Sequence, residues 1–124
     1  MEYKSVLKDK SISFGHLVSD FCRILRDKRK HGIIYNQFLR SGTAVGALIH
    51  EAEFAQSKAD FINKLSIALK EANEAFYWLN ILKESGEITG ERYNQAHNLV
   101  VEIISMLVAS VKTAKRNLSS GKIS

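Results

Sequence analysis

The chain has no proline and a single cysteine in 124 residues. Without proline nothing interrupts the hydrogen-bond ladder of a long helix. A lone cysteine, Cys22, cannot close an internal disulfide, and such sparse use favours a cytoplasmic protein. No apolar run approaches the ~20 residues a membrane span needs. The segment Met1 to Ser5 lacks the apolar core and small-residue cleavage site of a secretory leader. There is no Cys-x-x-Cys pair, phosphate loop or dinucleotide fingerprint. A di-metal carboxylate bundle needs Glu three residues before its histidines. Ser13, Lys28, Ala47 and Asn94 stand there instead, before His16, His31, His50 and His97. Neither a metal nor a cofactor is therefore expected, and no serine or cysteine can be matched to a histidine and an acid. The expected class is a non-enzyme.

What remains is helical. The hydrophobic share of 45% and charged share of 25% suit one globular domain. That domain should span residues 1–124, with flexible ends over about residues 1–10 and 119–124. Phe14, Leu17, Val18, Phe21, Ile24 and Leu25 recur at three- and four-residue steps, predicting a first helix over about 12–30 with Gly32 as its left-handed cap. A second helix is predicted over about 35–54. Ser57, with Asp60 three residues on, predicts the start of a third, which Gly86 closes. Thr89 predicts the start of a fourth, running to about Leu118. Short links make neighbours antiparallel. The predicted fold is all-α, an up-down-up-down antiparallel four-helix bundle.

Gly42 and Gly46 sit four residues apart inside the second helix. Each costs a helix interior roughly 1 kcal/mol relative to alanine, so they imply a close backbone approach. Their expected partners are Ala68, Ala72 and Ala75 of the third helix. Elsewhere there is more apolar surface than a lone bundle buries. Val100, Val101, Ile103, Ile104, Met106, Leu107 and Val108 wrap most of the fourth helix. Phe76, Tyr77 and Trp78 point ~100° apart and cannot share one core stripe. Tyr77, Trp78, Val101, Ile104 and Val108 are the expected oligomer interface.

The net charge is +5. Arg23, Arg26, Lys28, Arg29 and Lys30 crowd the end of the first helix. The helix dipole accounts for two or three of them. With Arg40 they form the candidate phosphate-contacting set. Lys112, Lys115 and Arg116 form a second basic group at the opposite end, near Lys4, Lys8 and Lys10. Glu84, Glu87 and Glu91 lie near the first group and partly offset it. His50, Glu51, Glu53, Glu71 and Glu74 read as helix surface or ion-pair partners.

The block Arg40-Ser41-Gly42-Thr43-Ala44-Val45-Gly46-Ala47, then Glu51-Ala52, the run from Ser57 to Ala72, and Tyr77-Trp78-Leu79 resembles the four-helix-bundle family encoded in intervening sequences of bacterial 23S rRNA genes. The resemblance is densest from 40 to 82. Leu48 departs from it, since relatives usually carry Asn there. The resemblance implies an up-down bundle assembling into a ring-shaped homopentamer. It implies motif roles for the polar Arg40, Ser41 and Glu51 beside Gly42 and Gly46, and inter-helix or inter-subunit ion pairs suffice for Arg40 and Glu51. The chain is also similar to the accessory protein of diversity-generating retroelements, a basic pentamer that associates with a reverse transcriptase and nucleic acid. Two functions follow as expectations. One is a homo-oligomer that binds RNA or DNA through rings of Lys and Arg. The other is a scaffold for a protein partner such as a polymerase.

Overall fold

The computed structural model describes residues 2–26 and 32–120, with side chains from residue 6 to 24 and from 32 onward. Among these the chain forms four helices and no strand: α1 (Glu2–Arg26), α2 (Gly32–Glu53), α3 (Lys58–Glu84) and α4 (Gly90–Ser119). Each helix meets its two neighbours and none meets the one diagonally opposite. The cross-section is therefore a square, closed by α1 against α4 along its thinnest seam. The architecture is the up-down-up-down bundle that the periodicity predicts.

Local chemistry sets the ends. Ser57 Oγ accepts from Asp60 N at 3.0 Å, and the Asp60 carboxylate reaches back to Gln56 N at 3.2 Å, opening α3. At its other end Gly86 takes φ +76°. Gly86 N donates to Lys83 O at 3.0 Å and Glu87 N to Leu82 O at 2.9 Å. This paired closure satisfies the last carbonyls and needs a left-handed residue. Thr89 precedes α4 with an extended backbone but makes no side-chain cap.

Three expectations change. Helix α1 begins at Glu2, not near Ile12. The apolar stripe continues through Leu7 and Ser11, whose hydroxyl is satisfied by Lys8 O at 2.7 Å, so a buried serine hid the N-terminal turns of the helix from the pattern. Gly32 is the first residue of α2 rather than a cap on α1. At the C-terminus α4 ends at Ser119, within a residue of the expected end, and Ser120 caps it, while residues 121–124 lie outside the described part. Finally, α4 is long and apolar enough, by length and composition, to cross a membrane. It serves as a core helix here, turning Ala96, Val100, Ile103, Leu107 and Val111 inward.

The glycines face the other neighbour. A Cβ on Gly42 would lie 2.8 and 2.9 Å from the Val18 methyls and 3.1 Å from Val18 Cβ. One on Gly46 would lie 3.4 Å from Ser11 O. The close approach is thus α1 on α2, not α2 on α3. Ala68, Ala72 and Ala75 are all fully buried and slim the α3 side of the core. Val18 is fully buried, so it cannot swing away from an added methyl. Gly42→Ala should cost about 1–3 kcal/mol by urea denaturation. In a Val18→Ala background the added cost should shrink, a coupling that no α3 alanine would give.

Candidate nucleic-acid and oligomer surfaces

Arg40 stands more than two turns inside α2, because that helix starts at Gly32. It is held by α3. Its Nη1 donates to both Glu71 oxygens, at 3.2 and 2.9 Å, its Nη2 to Glu74, and its Nε to Gln37 at 3.3 Å. Trp78 Nε1 donates to the same Glu74 oxygen at 3.3 Å. The hydrogen bond to Glu71 leads in raising the Arg40 pKa above its ordinary value. Glu71 is only 14% exposed, so removing Arg40 would leave a half-buried carboxylate without its partner. In the last turn of α2, Glu51 pairs with Lys64 of α3 at 3.1 Å. Both charged motif positions therefore tie α2 to α3. Ser41 lies between, fully buried, donating to Gln37 O at 2.8 Å. Arg40→Ala should cost about 1–2 kcal/mol in urea. Arg40→Lys should lose part of that, since an ammonium cannot reproduce the fork.

The other candidate phosphate contacts are dispersed or undescribed. Arg23 is exposed and pairs with Asp20 at 3.4 Å. The backbone of Arg26 ends α1, but its side chain lies outside the described residues, as do Lys28, Arg29, Lys30 and His31 entirely. Near the opposite end Lys8 pairs with Glu53 at 2.9 Å, and Lys10 pairs with Glu102 at 2.6 Å across the α1–α4 seam. Lys112, Lys115 and Arg116 are exposed on α4.

The expected interface residues fall on separate surfaces. Trp78 lies on the α2–α3 seam beside Glu74, and Tyr77 points outward at 57% exposure, its ring 5.0 Å from Trp78. Phe76 turns instead to α4, against His97. Val101 and Val108, 41% and 47% exposed, flank the half-buried Ile104 along α4.

A buried contact that the sequence analysis missed ties the α1–α2 end to the α3–α4 turn. Tyr35, 4% exposed, donates its hydroxyl to Glu87 at 2.8 Å, and Cys22 Sγ donates to Tyr35 O at 3.4 Å. No local pattern marks it, because 52 residues separate Tyr35 from Glu87. Burial first, then the bond to Glu87, pushes the Tyr35 pKa far above its ordinary value of 10.0. Above about pH 10 the unfolded chain loses this proton while the folded chain keeps it. Stability should then fall with rising pH by up to ~1.4 kcal/mol per unit, and Tyr35→Phe should remove that component.

An open cleft of about 1050 Å³ lies at the α2–α3 turn, floored by Leu7, Ile49, Phe61, Ile62 and Leu65. Among the described residues no group of His, Cys, Asp and Glu is placed to hold a metal ion. Glu71 and Glu74 are engaged by Arg40, and His50 packs on Phe54.

The model of the 23S rRNA-intervening sequence protein family matches residues 4–109. The chain belongs to that family. A crystal structure of a protein of unknown function from the S23 ribosomal protein family, from Bacteroides thetaiotaomicron VPI-5482, is 46% identical and superposes with a TM-score of 0.84. The match covers 89% of this chain and 98% of that one. No match was found among curated proteins. The family assignment covers the motif that joins α2 to α3, and it stops one residue short of Ser110, within α4.

Proposed function

We propose that this family member is a non-enzymatic homo-oligomer, a ring of five cytoplasmic subunits, that holds RNA or DNA through phosphate contacts. The apolar stripe Val101, Ile104 and Val108 on α4 carries the reading. A surface distinct from it, around Tyr77 and Trp78, supplies a second face. Two different faces on one subunit suit head-to-tail contacts, which close into a ring when the rotation permits. The net charge of +5 supplies attraction for phosphates, with little preference for base sequence.

A protein-scaffold reading draws on one observation. Arg23 and Arg40 already face carboxylates of their own chain, so phosphates would have to displace them. Light scattering alongside the ultraviolet absorbance ratio separates the two. A five-subunit particle carrying nucleic acid fits the first reading. A clean pentamer that retains a protein partner after nuclease treatment fits the second. Val101→Glu with Val108→Glu should reduce the mass to that of a monomer while leaving helical circular dichroism unchanged. An unchanged mass would remove the α4 stripe from the interface.

A further inference from the structure

Helix α4 outruns the core. Its last buried residue is Val111, and from Lys112 to Ser119 only Ala114 is even half-buried. Three cations occupy this projecting end. Lys112, Lys115 and Arg116 stand at i, i+3 and i+4, which places them on one face. All three are exposed, and no described carboxylate pairs with them. The last acidic residue of the chain is Glu102, more than two turns earlier. Among the other described cations, Lys8, Lys10, Arg23, Arg40 and Lys64 each have an acidic partner, Lys83 and Arg92 lie over aromatic rings, and Lys70 is exposed on α3.

The helix dipole accounts for Arg116, in the last turn. It does not account for Lys112, because the effect fades beyond one turn. Four residues of helix span ~6 Å, and phosphates of one duplex strand recur every ~3.4 Å along the axis. The three side chains can therefore reach neighbouring phosphates together.

We infer that the projecting C-terminal end of α4, through Lys112, Lys115 and Arg116, is a nucleic-acid contact of this protein, rather than Arg23 and Arg40, which already face carboxylates. The inference rests on the nucleic-acid reading above and assigns it a site. Charge complementarity selects a polyanionic backbone: a cluster of unpaired cations loses no internal ion pair on binding, whereas Arg40 would have to abandon Glu71 and Glu74. In a ring the cluster would recur once per subunit, so contacts along one strand would add.

The test uses the full chain with a fluorescein-labelled 20-nucleotide RNA, titrated between 50 and 200 mM KCl. The variant is Lys112→Gln, Lys115→Gln and Arg116→Gln together, which keeps helix propensity nearly constant. Light scattering and circular dichroism confirm that assembly and helix content are unchanged. Affinity at 50 mM KCl should fall at least tenfold, and the slope of log affinity against log salt should become shallower by about 2. Lys70→Gln, which removes an exposed cation from α3, should leave both nearly unaltered. If wild type binds with a steep salt dependence and the triple variant matches it, the α4 site is overturned while nucleic-acid binding stands. If wild type binds neither this RNA nor DNA of the same sequence, both fall. Tighter binding to phosphatidylglycerol vesicles than to RNA, lost in the triple variant, would also overturn the assignment, in favour of a lipid headgroup.

Discussion

The approach of α1 to α2 at Val18 and Gly42 is the constraint from which the rest of the bundle follows. A methyl on Gly42 would collide with the buried Val18, so the axis separation is set where the side chain vanishes. One turn along, Gly46 opposes the backbone of Ser11, and the contact continues. With α1 seated this closely, Phe14, Val18 and Phe38 all become fully buried. The helical cost of glycine is offset at Gly42 by packing that a larger residue would disrupt.

On the opposite flank of α2 polar contacts take over. Arg40 and Glu51 reach α3 at points three turns apart and fix its register. Small residues on one side and charged side chains on the other make α2 the organising helix. These roles of Arg40, Gly42, Gly46 and Glu51 are structural and invoke no chemistry. The same economy shapes the surface. Cations that tie helices together are not free for a partner, and those on the projecting end of α4 tie nothing together. Exposed charge and available charge differ in this molecule, and only the ion-pair geometry separates them.

Much of the fold was legible in the chain itself. Three- and four-residue spacing, the Ser57 cap, Gly86 and the absence of proline mark four helices with short links. The misplaced features have local causes. Ser11 is a polar residue in a core position, with its hydroxyl satisfied within its own helix, so hydropathy began α1 too late. Gly32 has the composition of a cap but lies within the following helix. The membrane-span criterion missed α4 because its apolar residues are interspersed with polar ones.

The amino-acid sequence by itself determined the helices, their antiparallel order and the family, because periodicity, caps and motif blocks are local along the chain. It did not determine which helix the glycines face. A small residue on a helix is compatible with either neighbour until the bundle is assembled. Nor did it show that Arg40 belongs to Glu71 and Glu74, that Tyr35 meets Glu87, or that Lys112, Lys115 and Arg116 stand apart from any acid. Those are distances between residues remote in sequence, and only tertiary packing decides them.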